Sequence, residues 1–478
     1  MKGSDSMKRL AFFAGILCLA GLAPTTARAD AVAVAAAPGG DAVRIDFSKP
    51  TGAMLPLHGV NNAPMTYWGR QKTFVEAGIP FCRTHDTAGA YGGAHFIDIP
   101  NVFPDFDADE TDPASYDFAL TDAWLGTVVA SGTEPFYRLG VTIEGARRLV
   151  KPYHIFPPRD YGKWARICEH VIRHYTEGWA NGRKWKIRYW EIWNEPDNPD
   201  MWQGTREQFF ELYRVASTHI KRQFPHLRIG GYASCGFAEL DGPINPKYAN
   251  GSYLEWFKRF VDYVQAPETK CPLDFFSWHV YTDDPERVAR YAKYCRDYLD
   301  ARGLRGTEAI LNEWNFINHG KYGRDEFTLM KEMPGAAFVA SVFCLLQRDR
   351  TVSCGMYYDA LPTRSYCGLY YFPSLKTTPC YEAFRLFNRV YRLGTAATVS
   401  FPRKGVYACA AMRDAARAVL LVNNRSSSVA LSPVMVGVEA EKPWRVTLLS
   451  EKVSGTAADW TPDVPLTLPA LSLVLLEQ

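Results

Sequence analysis

No stretch of the chain beyond residue 23 reaches about 18 uninterrupted apolar residues, so no membrane-spanning helix is expected. There is no block of like charge either. The 54 basic and 51 acidic residues are mixed along the 478 positions for a formal net charge of +3, and without a basic stripe nucleic acid is not an expected partner. No CxxC pair or Cys/His spacing suits structural zinc, and no G-x-S-x-G elbow is present for a serine hydrolase of that type. A Gly-rich phosphate loop is missing after the first strand-like segment, where HGVNNAP (58–64) stands instead, which disfavours an open dinucleotide-binding sheet. Internal repeats are also lacking, as is a low-complexity linker around residue 395, where the texture of the chain changes. With 47% hydrophobic and 22% charged residues, the sequence is that of a globular chain long enough for two domains.

The N-terminus has the pattern of an export leader. Lys8 and Arg9 precede the apolar run LAFFAGILCLAGLA (10–23), and Ala27-Arg28-Ala29 places small residues where a signal peptidase reads. Residues 1–29 are therefore expected to be a signal peptide cleaved before Asp30, with a periplasmic or extracellular product. Cys18 lacks the small preceding residues of a lipoprotein signal. Ten of the 11 cysteines lie beyond it; an even number in an exported chain permits disulfides, although many cysteines in so long a chain are buried small hydrophobes.

After a small-residue linker (30–41), short apolar or β-rich runs recur. They are LHGV (57–60), PFCRTH (80–85), EPFYRLG (134–140), IRYWEIWN (187–194), LRIGGYA (227–233), DFFSWHVY (274–281), AILNEWN (309–315) and CGMYYD (354–359). Between them lie segments with apolar residues three and four apart, such as 161–180, 206–224 and 288–303, which read as amphipathic helices. Buried strands alternating with helices predict parallel βα units, and eight of them predict a (β/α)8 TIM barrel over residues 53–394. From 395 to 478 the texture changes to short strands and turns, which predicts a small C-terminal β-sandwich. The strand AVRIDF (42–47), within an N-terminal segment 42–52, is a candidate member of that sandwich.

Barrel sites are assembled at the carboxyl ends of strands. There fall Arg83 and His85, Asn194 and Glu195, His279 and Tyr281, Glu313, and Asp359. Two carboxylates on separate strands, one protonated and one ionised, are what hydrolysis of a glycosidic bond requires. Aromatic residues are abundant, with 13 Trp, 26 Tyr and 27 Phe. Most belong in the core, and the remainder suit the flat faces of sugars. Trp314, next to Glu313, is a candidate sugar platform; Trp202 is a weaker one. Glu191, at mid-strand, reads as a barrel-interior ion-pair partner. The acidic run DFDADETD (105–112) carries oxygen ligands but matches no calcium-loop spacing.

WEIWNEPD followed by LNEWN resembles the acid/base and nucleophile signatures of glycoside hydrolase family 39, the β-xylosidase and α-L-iduronidase group of the retaining (β/α)8 clan A. The likeness covers roughly residues 55–395 and extends to the C-terminal sandwich. It implies a retaining glycoside hydrolase working by double displacement on oligo- or polysaccharide, β-xylosidase-like, with no cofactor and no metal in the chemical step. It makes Glu195 the general acid/base and Glu313 the nucleophile, with Asn194 on the sugar 2-hydroxyl. Arg83, His279 and Tyr281 fall near the nucleophile, and His85 against the glycone, joined there by Asp86 and Tyr91. The expected carboxyl separation is about 5–5.5 Å, with Arg83 and Tyr281 lowering the pKa of Glu313 and burial raising that of Glu195. The segment after the eighth strand lacks the Trp-rich pattern of many β-xylosidases, which leaves arabinosides, galactosides, glucosides, uronides and internal cleavage open, beside a non-catalytic carbohydrate-binding barrel. A cation in the pocket would favour a uronide, and Arg138, Arg364 and Lys376 are the candidates.

Overall fold

The computed structural model describes residues 42–64, 71–87, 95–142, 154–321, 323–401, 404–439, 441–456 and 459–478. The expected leader (1–29), the expected linker (30–41) and Tyr91 lie outside them. An N-terminal strand, β1 (Arg44–Ala53), precedes eight parallel strands: β2 (Gly59–Asn61), β3 (Phe81–Arg83), β4 (Glu134–Leu139), β5 (Tyr189–Ile192), β6 (Arg228–Ser234), β7 (Phe275–Thr282), β8 (Glu308–Phe316) and β9 (Cys354–Tyr357). Each pairs with the next, and β9 closes on β2 through Gly59 opposite Met356 and Val60 opposite Tyr357. This is the expected closed barrel, and each of the eight sequence runs overlaps one of its strands, the ends differing by a residue or two.

The barrel interior is layered by the two-residue alternation of strands. Phe81, Phe136, Tyr189, Phe275, Ile310, Cys354 and Met356 form a separate apolar cluster inside the barrel. Two residues further along the same strands come Arg83, Glu191, Ser277 and Asn312, all buried and polar. A largely aromatic floor thus carries a polar layer, and the carboxyls of Glu195 and Glu313 stand above that layer at the strand ends.

Helices cover the outside. The helix begun at Tyr161 ends at Thr176 rather than continuing to 180, because Gly178 takes a left-handed conformation (φ 86°) and the chain turns. The helix Arg206–Gln223 opens with a capping box between Thr205 and Gln208. Among the described residues, no helix is long and apolar enough to cross a membrane.

After the barrel, β10 (Thr395–Ser400), β11 (Val406–Arg413) and β12 (Ala416–Asn423) join β1 in an eight-stranded sheet, with a two-stranded sheet of Val429–Leu431 and Leu466–Leu468 beside it. The central strands are apolar on both faces. In β11, Val406, Ala408 and Ala410 enter the sandwich core, whereas Tyr407, Cys409 and Ala411 join the barrel core. The described residues from 42 onward therefore belong to one compact unit. The ten cysteines among the described residues are free thiols, and the eight buried ones pack as small hydrophobes rather than as crosslinks.

Closure depends on glycine at Gly59. A Cβ there would lie 2.6 Å from the Gly355 carbonyl oxygen and 2.8 Å from Met356 Cγ. Gly59→Ala is expected to lower the unfolding free energy by about 1–3 kcal/mol, read from the denaturant midpoint; an unchanged midpoint would contradict the tight β2–β9 seam.

Candidate active site

The centre of the site is a buried cation. Arg83, fully buried at the end of β3, donates through Nε to Glu191 Oε2 at 2.8 Å. One terminal nitrogen donates to Asn61 Oδ1 and to Glu313 Oε2, both at 3.0 Å, and the other donates to Asn194 Oδ1. Glu191 is also met by Ser277 Oγ at 2.6 Å and Asn312 Nδ2 at 2.5 Å, which satisfies a carboxylate that would otherwise be too costly to bury. This is the interior ion pair expected of Glu191.

Glu313 stands on β8 with Arg83 on one oxygen and Tyr281 on the other, the Tyr281 hydroxyl donating at 2.5 Å. His85 Nε2 and His279 Nδ1 each lie 3.7 Å from Glu313 Oε2. Glu195 faces it from the turn after β5. Its Oε1 is 2.7 Å from His279 Nδ1, and its Oε2 accepts from Asn198 Nδ2 at 3.2 Å. One side-chain atom each of Glu195, His279 and Glu313 lie within 4.8 Å of one another. Two backbone departures create this meeting. Trp193 and Glu195 both have positive φ, 72° and 44°, and β8 contains a bulge opposite the Trp278–His279 step.

Burial pushes both carboxyls above the ordinary range of glutamic acid. For Glu195 this matches the expectation. For Glu313 it corrects it: Arg83 and Tyr281 do pull its pKa down, but burial and the nearby Glu195 charge outweigh them. Glu313 has a guanidinium in hydrogen-bond contact and Glu195 has none, so a single proton shared by the two belongs on Glu195. Burial, with the charge of Glu195 second, pushes Asp197 up to about 7, while Ser234 and the Cys235 backbone N–H donate to it. His85 is driven neutral by burial beside Arg83 and Arg138.

A cavity of about 270 Å³ opens here, lined by His85, Asp86, Tyr281, Tyr358 and Tyr366 beside Asn194, Glu195 and Glu313. Asp86 accepts from the Tyr358 hydroxyl at 2.6 Å. The structure thus brings together Arg83, His85, Asn194, Glu195, His279, Tyr281 and Glu313. Two expected binding residues fall elsewhere. Trp314 is 1% exposed and packs outward against Phe338, Phe343 and Tyr357, because the residue after an inward Glu313 points to the helix layer; it is no sugar platform. Trp202 is likewise core, edge-on to Trp193. Asp359 is buried behind the cavity and accepts from Asn62 Nδ2 at 3.3 Å. Of the candidate cations, Arg138 is buried against Asp98 at 2.7 Å, and neither Arg364 nor Lys376 lines the cavity among the described residues. Asp105, Asp109 and Asp112 accept from backbone N–H groups two residues ahead, and Glu110 pairs with Arg166, so turns and ion pairs account for the acidic run.

Sequence reading missed Asn61, Ser277, Asn312, Tyr358 and Tyr366. Asn61, Ser277 and Asn312 share the inward parity of Arg83 and Glu191, a signal available once strand phases are assigned. The two tyrosines follow the irregular end of β9 and carry no such signal.

The model of the family described as Glycosyl hydrolases family 39 matches residues 94–295. The chain is 26% identical over 210 residues to a beta-xylosidase from Geobacillus stearothermophilus, a match covering 42% of this chain and 37% of that one. It is 25% identical over 353 residues to a beta-xylosidase from Caldicellulosiruptor saccharolyticus, covering 67% of this chain and 65% of that one. The chain thus spans less than two thirds of the length of either relative. A solved glucosidase structure from Croceicoccus marinus shares the fold, with TM-score 0.67 at 21% identity over 91% of this chain and 98% of that one.

Removing the central cation leaves Glu191 buried without its charge partner. Arg83→Met is expected to destabilise the chain by about 3–5 kcal/mol in denaturant unfolding, with part of the loss restored by adding Glu191→Gln; no loss in the single variant would contradict the buried pair.

Proposed function

We propose that the chain belongs to the glycosyl hydrolases of family 39, whose model matches residues 94–295, and hydrolyses O-glycosidic bonds with retention of anomeric configuration, in the manner of the beta-xylosidases it resembles. The observation that carries this is the pair Glu195, in the turn after β5, and Glu313, on β8, with one carboxyl oxygen of each within 4.8 Å of the other's. That approach suits the close pair of a retaining enzyme, whose nucleophile contacts the anomeric carbon directly, better than the wider pair of an inverting enzyme, whose carboxyls stand about 6.5–9.5 Å apart to admit a water.

Glu313 is the nucleophile. Arg83 and Tyr281 leave its oxygens hydrogen-bonded but ionised, and its attack on the anomeric carbon forms a glycosyl ester as the C–O bond to the leaving group breaks. Glu195 gives its proton to the departing oxygen. It then takes a proton from the water that attacks the anomeric carbon and releases Glu313. Asn194 has its amide oxygen taken by Arg83, which turns its N–H2 end outward as a donor for a sugar hydroxyl. His85 and Asp86 line the glycone side, and the aromatic rings of Tyr358 and Tyr366 supply apolar faces. The beta-xylosidase names of both relatives support a xyloside as substrate. Export to the periplasm or beyond is supported by the leader pattern of residues 8–29.

Azide distinguishes the two roles. Glu313→Ala is expected to regain turnover of an activated aryl glycoside with azide and yield the inverted glycosyl azide, whereas Glu195→Ala yields the retained one. The same configuration from both variants would contradict the assignment. A second consequence concerns pH. The kcat/KM profile should be bell-shaped, falling toward acid as Glu313 takes up a proton and toward alkali as Glu195 loses its own. Since burial raises both, each limb should lie above the 4.5 of an unperturbed glutamic acid; an acid limb below it would show that burial does not dominate at Glu313.

A further inference from the structure

The bulge in β8 does more than turn Glu313 inward. Leu311 pairs with Trp278 and Glu313 pairs with His279, so Asn312 is the extra residue of the ladder, and consecutive residues Asn312 and Glu313 both enter the barrel. Asn312 Nδ2 donates to Glu191 Oε1 at 2.5 Å. Glu191, as the ion-pair partner of Arg83, is a carboxylate and only accepts hydrogen bonds, so the Asn312 amide cannot turn over. Its Oδ1 therefore faces away from Glu191. That oxygen is buried with no hydrogen-bond partner, and so is Nε2 of His279; the Asn312 side chain acts on this same imidazole. On the other edge of the ring, Nδ1 lies 2.7 Å from Glu195 Oε1.

A neutral imidazole has one N–H and one bare nitrogen. With the hydrogen on Nε2, the unpartnered Oδ1 of Asn312, at the bulge of the adjacent strand, is the acceptor that a small side-chain adjustment would bring to it; with the hydrogen on Nδ1, two unpartnered acceptors would share that buried space. We propose that Glu191 and Asn312 are positioning residues that fix His279 as the tautomer protonated at Nε2, so that its Nδ1 accepts the Glu195 proton and holds Glu195 as the acid between turnovers. The proposal rests on Glu195 being the proton donor. When substrate binds, the Glu195 proton turns from Nδ1 to the leaving oxygen, and the attacking water later returns a proton to the same carboxyl.

The surroundings fit a holder rather than a thief of that proton. Burial drives the His279 pKa down to about 4, so the ring does not take the proton itself near neutral pH. The charged or titratable groups facing the relay are Arg83 from β3, Glu191 and, in the turn after it, Asp197 from β5, Cys235 after β6, Tyr281 from β7, Glu313 from β8 and His85 after β3. The cation among them, Arg83, is engaged by Glu191 and Glu313.

The tautomer can be read without catalysis. Histidine-selective ¹⁵N labelling of the full chain, with His279→Gln to assign the resonances, is expected to show a hydrogen on Nε2 and none on Nδ1 near neutral pH. A hydrogen on Nδ1 would overturn the proposal. Asn312→Ala should mix the two tautomers and move the alkaline limb of kcat/KM toward acid by about one pH unit; a folded variant with both tautomer and limb unchanged would also overturn it. If the unaltered chain cleaved no glycoside, the hydrolase reading would fall while the spectrum still decided the tautomer. If it cleaved glycosides with hydrogen on Nδ1, the relay alone would fall.

Discussion

A guanidinium with no water around it organises this molecule. Arg83 is wholly buried, and four of its five N–H bonds find acceptors from other strands. Glu191 on β5, Glu313 on β8, Asn61 on β2 and Asn194 after β5 supply them. Each partner is thereby set in position by the same planar fork. Glu191 neutralises the charge at depth, which leaves the rest of the guanidinium field for Glu313 at the barrel mouth. One cation thus both permits a carboxylate in the barrel interior and keeps a second one ionisable in a site that burial would otherwise hold protonated.

Regular strands would not have produced this site. Alternation delivers Arg83, Glu191, Ser277 and Asn312 into the barrel in one layer, but it would send Glu313 outward after an inward Asn312. The bulge in β8 brings both in. On β5 the parity of Glu191 continues to Trp193, yet Trp193 packs outside the barrel against Trp164 and Trp202, and the left-handed turns at Trp193 and Glu195 return Glu195 to the mouth. Local backbone departures sit where the chemistry sits, as strained conformations commonly do.

Much of this was legible in the residues themselves. The barrel strands announce themselves as short apolar runs, and the polar residues at their ends mark the rim. Ion pairing of Glu191 followed from its mid-strand place. What the sequence does not display is where alternation fails, and Trp314 is the instructive case. Adjacent to a rim carboxylate, it reads as a sugar platform until the bulge is placed; then it is the outward neighbour and packs among Phe338, Phe343 and Tyr357. The pKa of Glu313 was misjudged for a related reason. Its partners are visible as residue types, whereas the depth of its burial depends on the packing of the whole mouth. Asn312 stood in view inside LNEWN, but its contact with Glu191 joins strands that are far apart in the chain.

The idea most exposed to refutation is that Glu313 bonds to the sugar. A 2-deoxy-2-fluoro xyloside and glucoside with good leaving groups, incubated with the full chain and followed by peptide mass spectrometry, would test it directly. A glycosyl adduct on the peptide containing Glu313, lost on slow reactivation, is the predicted result. An adduct on Glu195, or turnover of either reagent without any covalent species, would contradict it.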